Sequence, residues 1–103
     1  MSELPKFYSQ AKEEYPEVFA SYEALGKAVR EVGPLDEKTV ALVKLSTSVA
    51  SGLEGATHSG VRKALAAGCT PEELRQVVLL SVTTIGFPAM MRARAWVEDV
   101  LSA

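Results

Sequence analysis

The residue best suited to chemistry is the single histidine of the chain, His58, which lies in the segment 52–60. Glu54 precedes it by four residues, so a helix covering both positions places their side chains on one face, about one turn apart. A carboxylate there can orient the imidazole, select its tautomer and favour its protonated form. In general acid–base catalysis His58 would move the proton and Glu54 would orient the imidazole. Glu54 and His58 are therefore the candidate catalytic residues.

The position of this pair also suggests the charge of a substrate. The segment lies at the start of a predicted helix, where free backbone N–H groups favour anions. Lys44, in the preceding predicted helix, is the candidate substrate-binding cation for a small organic acid. The same Glu-to-His spacing is common on ordinary solvated helices, so a purely structural role for the pair stays open.

Metal and cofactor chemistry find little support in the residue pattern. One histidine and one glutamate supply two protein ligands, whereas a zinc site needs three or four. The sequence therefore predicts no metal site, unless two subunits share one. The glycines are isolated helix stops and form no phosphate-binding loop, so no cofactor is predicted either.

The only cysteine, Cys69, limits redox chemistry, because one thiol cannot form a dithiol pair within the chain. Cys69 immediately precedes Thr70, which is predicted to cap a helix, and it is expected at the edge of the core. Peroxidase or disulfide-exchange activity would need Cys69 to pair between subunits or with an external thiol. One cysteine and a polar start without an apolar leader segment together predict a cytoplasmic protein.

Helix signals dominate the rest of the chain, and no stretch alternates long enough to form a strand. A proline suits the first turn of a helix, a Ser, Thr or Asp suits the N-cap, and a glycine suits the end. These signals predict an all-α fold of about five to six helices in a single domain, 1–103. The predicted helices cover a weak first one in 1–14, then Pro16 to about Glu31, Asp36 to Gly52, about Gly55 to Ala67, Thr70 to about Thr84, and Gly86 to the C-terminus.

One predicted helix, Leu74 to Ile85, is apolar around nearly its whole circumference. A helix of that kind must be buried on all sides. A chain of 103 residues has few places to bury it, so part of its surface is predicted to pack against another subunit. The expected partner is a second copy of the chain, in a homo-oligomer.

Composition excludes two further classes of partner. The chain is 48% hydrophobic and 23% charged, with a formal net charge of −2. Its basic residues are scattered among acids, so no nucleic acid or anionic membrane surface is an expected partner. The longest apolar run, 77–82, is too short to span a bilayer.

Six segments in order resemble the carboxymuconolactone decarboxylase family, which includes the alkylhydroperoxidase D-like proteins. The resemblance covers about residues 34–95 and implies an all-α fold of that type. It also implies assembly into homotrimers or homohexamers and, for decarboxylase members, lyase activity on a small lactone. The segments are Leu35-Asp-Glu-Lys-Thr, Leu42-Val-Lys-Leu, Gly52-Leu-Glu-Gly-Ala-Thr-His, Val61-Arg-Lys-Ala-Leu-Ala-Ala-Gly, Thr70-Pro-Glu-Glu-Leu and Gly86-Phe-Pro-Ala.

The reactive positions that this resemblance implies hold inert residues in this chain. Redox members of the family carry a Cys-x-x-Cys pair followed by a histidine, at positions that are here Leu53, Ala56 and Gly60. Their proton relay also uses a glutamate one helix earlier, where this chain has Ala41. Decarboxylase members resemble Glu-x-x-x-His at positions 56 and 60, which this chain also lacks.

The retained pattern, Glu54 with His58, is similar to a cysteine-free subgroup of the family. Dithiol peroxidase activity is accordingly not expected. Two hypotheses stay open from the sequence. One is a lyase-type enzyme that uses Glu54 and His58, with Lys44 holding the substrate. The other is a non-catalytic oligomeric scaffold or binding protein that keeps the fold without the chemistry.

Overall fold

A computed structural model describes residues 5–103 of the chain. These residues form six helices of nine residues or more and one four-residue helical turn, with no strand among them, which confirms the all-α prediction. Residues 1–4, which the predicted first helix included, lie outside the described part. The elements are α1 Lys6–Glu14, α2 Pro16–Glu31, α3 Glu37–Ala50, α4 Glu54–Ala66, α5 Pro71–Leu80, α6 Val82–Ile85 and α7 Phe87–Leu101.

Local capping explains where two of these helices begin. The Asp36 carboxylate accepts a hydrogen bond from the Thr39 N–H at 2.8 Å, as expected for the N-cap of α3. At the start of α5 the Glu73 N–H donates to Thr70 Oγ1 at 3.1 Å, and the Thr70 N–H donates to Glu73 Oε1 at 2.8 Å. This capping box satisfies two backbone donors that a helix start otherwise leaves free.

The apolar segment after Thr70 is not one helix to about Thr84, as the sequence predicted, but two elements that meet at Ser81. The Ser81 hydroxyl and N–H both donate to the Val78 carbonyl, at 2.6 and 3.1 Å, which tightens the turn and ends α5. A buried face remains on α5, at Leu74 and Val78, while Leu79 and Leu80 are more than half exposed. Within residues 5–103, no helix is both long enough and apolar enough to cross a membrane.

The chain, predicted to be a single domain, divides into two compact units at Pro34 and Leu35. The first contains α1 and α2, neither of which has a buried residue among those described. Its contacts include an edge-to-face pair of Tyr8 and Phe19 at 5.3 Å and the Glu23 carboxylate, which accepts from Tyr8 at 3.1 Å and from Lys12 at 2.9 Å.

The second unit, Leu35–Ala103, holds the hydrophobic core and the candidate site. In it α4 packs against both α3 and α7, and α7 also packs against α5 and α6. Because α4 has a neighbour on either side, its two faces meet different helices. The buried apolar residues are Leu45, Val49, Val61, Ala64, Cys69, Leu74, Val78, Met90, Ala93 and Val97.

Candidate acid–base site on α4 and α7

The two catalytic candidates lie on the first turns of α4, because this helix begins at Glu54 and not at about Gly55 as predicted. Glu54 is the first residue of that helix, where its negative charge meets the positive end of the helix dipole. His58 follows one turn later. A carboxylate oxygen of Glu54 and a ring nitrogen of His58 lie within 4.8 Å of each other, so the structure brings the two side chains together.

The hydrogen-bond partner of the imidazole nevertheless lies on another helix. His58 Nε2 lies 3.0 Å from Asp99 Oδ2, on the last turns of α7, and no hydrogen bond joins Glu54 to the ring among the described residues. The Nε2–H donates and the carboxylate accepts, because an ionised carboxylate can only accept. The side chain of His58 is 25% exposed and that of Asp99 is 56% exposed, so the pair is accessible from solvent.

Sequence reasoning did not identify Asp99, since 41 positions separate it from His58. One pattern in the sequence accompanies it. Arg92, Trp96 and Asp99 follow each other at intervals of four and three residues, which places them on one face of α7. The guanidinium of Arg92 lies over the Trp96 ring, 5.0 Å from its centroid, as in a cation–π contact.

Arg92 also lies at the turn that precedes α4. Its Nη2 would be 2.7 Å from a Cβ placed at Gly52, which has a φ of +68°. The left-handed backbone favours glycine at position 52, and a side chain there would also displace the guanidinium of Arg92. The consequence is a cation beside the N-terminal end of α4, two residues before Glu54.

Lys44, the cation that the sequence suggested, is less well connected to this place. Its side chain is exposed on α3 and forms no ion pair with any described residue. Its role in binding a substrate stays a prediction. The cation beside the turn that precedes α4 is Arg92.

A second polar contact, one residue before Asp99, connects α7 to α5. Glu98 accepts from Arg75 of α5 through both oxygens, at 2.8 and 3.2 Å, and its Oε2 lies 3.3 Å from Arg94 Nε. The hydrogen bond from Arg75 holds the pKa of the Glu98 carboxyl below its usual value. A two-pronged arginine contact restricts orientation as well as distance, so it sets the rotation of α7 next to Asp99.

The opposite side of α4 is built for packing. A Cβ at Gly60 would lie 3.2 Å from Leu45 Cδ1 and 3.6 Å from Leu45 Cα, so only glycine lets α3 approach this closely without displacement. The two other inert positions of the redox pattern, Leu53 and Ala56, are exposed. Ala41 of α3 is partly buried against the core.

Cys69 is buried, with 5% of its surface exposed, and its sulfur lies 3.7 Å from the Lys38 carbonyl oxygen. Burial raises the pKa of this thiol above its usual value, which keeps it protonated and unreactive at neutral pH. The geometry thus agrees with the predicted core-edge position and gives no support to thiol peroxidase chemistry.

An open hollow of about 470 Å³ lies between α3, α5 and α6, away from the histidine. Its walls are mainly apolar, and its polar lining residues are Ser46, Glu73, Gln76, Ser81 and Thr84. Neither Glu54 nor His58 lines it. The pair therefore does not share a pocket with this hollow.

Two comparisons with known proteins agree with this architecture. The sequence profile of the carboxymuconolactone decarboxylase family matches residues 16–99, from the start of α2 to Asp99. A crystal structure of an apo carboxymuconolactone decarboxylase family protein from Legionella pneumophila has 25% sequence identity and a TM-score of 0.80, covering 92% of this chain and 85% of that one. No curated protein sequence matches significantly. By fold and by sequence, the chain belongs to the carboxymuconolactone decarboxylase family.

Proposed function

We propose that this protein catalyses a lyase-type reaction on a small carboxylate-bearing lactone or acid, with His58 as the proton carrier. The observation that carries the proposal is the 3.0 Å hydrogen bond between His58 Nε2 and Asp99 Oδ2 on a partly exposed surface. An imidazole oriented by a carboxylate is the usual arrangement of a catalytic acid–base group.

The roles differ from those that spacing alone suggested. Asp99 orients the ring through Nε2, which leaves Nδ1 as the nitrogen that exchanges a proton with substrate. Glu54 is the second carboxylate of the site, with an oxygen within 4.8 Å of a ring nitrogen. The catalytic residue is then His58, and Asp99 acts as its positioning residue.

Substrate binding is assigned to Arg92. The rise of an α-helix places Arg92 about 10 Å along α7 from Asp99, a span that suits a small organic acid with its carboxylate on the guanidinium. The first free N–H groups of α4 add a second attraction for an anion. Arginine is well suited to this task because its planar fork matches a carboxylate.

In the proposed step the bond to a second carboxylate carbon, one next to His58 and not the one that Arg92 holds, breaks and carbon dioxide leaves. The electron pair of that bond stays on the substrate carbon skeleton. His58, protonated at Nδ1, delivers the proton that this pair binds, and the neutral ring then regains a proton from water. The Asp99 carboxylate accepts the hydrogen bond from Nε2–H and holds the ring in position during the transfer.

The test is turnover of carboxymuconolactone by purified chain, measured as carbon dioxide released. Because a positioned acid–base group contributes about 10²–10⁴-fold, His58→Gln is expected to lose at least about 100-fold in kcat. Asp99→Asn should lower kcat with little change in KM, whereas Arg92→Gln should mainly raise KM. Glu72→Gln, an exposed carboxylate of α5, serves as the matched control.

Equal turnover by the wild type and His58→Gln would overturn the proposal, and so would the absence of turnover on carboxymuconolactone and on related lactone acids. A loss in His58→Gln that accompanies unfolding by circular dichroism would not count as support. The smaller change to Asn at Asp99 then supplies the decisive comparison, because it keeps the shape of the side chain.

A non-catalytic scaffold is the second candidate function. It is favoured by the residues on the family's reactive positions, since Gly60 packs against Leu45 and Leu53 and Ala56 carry no reactive group. Loss of a measured turnover in His58→Ala would exclude it.

Self-association accompanies either function in this proposal. Leu79 and Leu80 of α5 and Phe87 of α7 are all more than half exposed, which is the kind of apolar surface that a second copy covers. We expect a homotrimer or homohexamer by light scattering, and an 11 kDa particle at micromolar concentration would contradict this. The cytoplasmic location stays a prediction that cell fractionation would check.

A further inference from the structure

The side chains of the candidate site also offer enough ligand atoms to bind a metal ion. We infer that Glu54, His58 and Asp99 bind one divalent transition-metal ion of the zinc type. The inference goes beyond the proposed function and describes an alternative state of the same residues, because an ion bound to Nε2 would replace the hydrogen bond from Nε2–H to Asp99. Each side chain offers one ligand atom, and the three atoms lie within 4.8 Å of one another. Two of these ligands lie on α4, and the third lies on α7.

The distances are close to those of a metal's coordination sphere. Zinc lies about 2.0–2.2 Å from nitrogen and carboxylate ligands, so two ligands of a tetrahedral ion are about 3.3 Å apart. His58 Nε2 and Asp99 Oδ2, at 3.0 Å, are already near that separation. Glu54 is exposed at the start of α4, and rotation of its side chain can bring the third ligand into place.

The backbone holds two of the ligands in a fixed relation. Glu54 and His58 are four residues apart on one helix, the spacing at which two side chains of a helix reach the same ion. Asp99 comes from a different helix, which the contact of Arg75 with Glu98 anchors one residue earlier. Two packed helices thus hold His58 and Asp99 close together before an ion binds, and Glu54 completes the set by rotation of its side chain.

The charges of the cluster also call for a cation. With a neutral imidazole the two carboxylates sum to −2, which one divalent ion cancels. Among the described residues, neither Glu54 nor Asp99 forms an ion pair with a lysine or an arginine. The guanidinium of Arg92 instead lies over Trp96. The negative charge of the cluster is therefore without a lysine or arginine partner in this part of the chain.

The donor set selects the kind of ion. An imidazole nitrogen favours zinc, cobalt or nickel over magnesium and calcium, which prefer sites made of oxygen alone. Three protein ligands leave a fourth position for water, so the site would be an open one. Cys69, the only thiol, is buried and takes no part in the cluster.

The test is isothermal titration of the full chain, freed of any polyhistidine tag and of metal, with zinc chloride and with magnesium chloride. One zinc ion per chain and at least about 10-fold weaker magnesium binding are expected from the nitrogen ligand. Cobalt supplies a second readout, since its visible spectrum reports tetrahedral coordination. These measurements use no substrate, so they stand apart from the turnover experiment.

Variants assign the site. His58→Ala, Asp99→Asn and Glu54→Gln should each weaken zinc binding by at least about 10-fold, because each removes one of three ligands. Glu72→Gln and Cys69→Ala should bind as the wild type does. Circular dichroism confirms that each variant is folded, and a variant that unfolds is replaced by His58→Gln or Asp99→Ser.

Three results would overturn the inference. One is the absence of zinc binding at millimolar concentration. Another is binding that survives all three substitutions or is lost in Cys69→Ala. The third is magnesium binding as strong as that of zinc, which would indicate a site of carboxylates alone.

Discussion

The two sides of α4 differ in packing and in the chemistry of their side chains. Toward α3 the helix presents Gly60, against which Leu45 packs so closely that a single added carbon would lie 3.2 Å from it. Toward α7 it presents His58, partly exposed and hydrogen-bonded to Asp99. One side gives close packing without reactive groups, and the other gives reactive groups with little packing.

This difference shows why chemistry cannot be transferred through the family pattern alone. The redox pattern that the chain resembles places its histidine at position 60, which here faces Leu45 across a helix contact. Positions 58 and 60 are about 200° apart around the helix, so the histidine of this chain faces nearly the opposite way. Retaining a histidine within the same segment is therefore not the same as retaining the site.

The largest expected effect lies on the packed side. Leu45 is fully buried, and Leu45→Ala should lower the free energy of unfolding by about 3 kcal/mol through lost apolar burial and the cavity left behind. Leu53→Ala is the matched control, since Leu53 is 55% exposed and should change stability little. Equal losses in the two variants, measured by urea unfolding, would show that the packed side is not what holds the unit together.

A histidine at position 60 tests the same contact from the other helix. Gly60→His should cost about 2 kcal/mol, because overpacking a close helix contact forces backbone and side chains apart. Gly60→Ala should be nearly neutral, since the better helix propensity of alanine, worth about 1 kcal/mol, offsets a small displacement of Leu45.

The expected loss for Gly60→His should shrink in a Leu45→Ala background, where the larger side chain finds space. Thermal unfolding of the two single variants and the double variant measures this coupling. Additive effects would contradict direct contact between these two positions.

A smaller effect of opposite sign is expected next to the site, at Thr57. This side chain is fully buried, and its hydroxyl has no hydrogen-bond partner among the described residues. Thr57→Val removes an unsatisfied polar group at similar volume and should raise the free energy of unfolding by about 1 kcal/mol. Thr57→Ser, which keeps the hydroxyl and removes a methyl, should be destabilising. If Thr57→Ser were stabilising, the effect of Thr57→Val on the free energy of unfolding would have to be assigned to packing and not to the loss of the hydroxyl.

The smallest expected effect is on stability in acid. It arises in the capping box of α5 and not on the polar side of α4. The backbone N–H of Thr70 holds the pKa of Glu73 below its usual 4.5 in the folded chain. The folded state thus takes up this proton less readily than the unfolded state. The contribution of Glu73 to stability is complete above pH 4.5 and is lost as pH falls through the lowered pKa.

Glu73→Gln should therefore show a smaller fall in melting temperature than the wild type as pH is lowered from about 5 to about 3. Glu72→Gln gives the comparison variant, because the side chain of Glu72 is outside the capping box. Parallel melting curves for all three proteins would contradict the assignment.

Local signals in the sequence were enough to predict most helix ends. Thr70 and Glu73 cap α5 through contacts three residues apart, and Asp36 caps α3 in the same way. Ser81 divides the next segment through its hydrogen bonds to Val78, a choice that the apolar pattern around it did not indicate. Local chemistry predicts where a helix starts more reliably than where it breaks.

The candidate site was only half predictable for a related reason. Glu54 and His58 share one helix, so their proximity follows from a spacing of four residues. Asp99 reaches them only because α7 packs against α4, which depends on the tertiary fold. Arg92 likewise became visible through its contact with Gly52. Sequence spacing predicts neighbours within an element, whereas packing selects the partners between elements.

Asp99, and not Glu54, is the hydrogen-bond partner of the one imidazole in the chain. A long-range proton–nitrogen NMR spectrum reports both ring nitrogens of His58 without ambiguity, because no other histidine is present. Asp99→Asn is predicted to shift the Nε2 resonance strongly and Glu54→Gln to shift it only slightly. An unchanged spectrum in Asp99→Asn, or a larger shift in Glu54→Gln, would show that Asp99 is not the hydrogen-bond partner of His58.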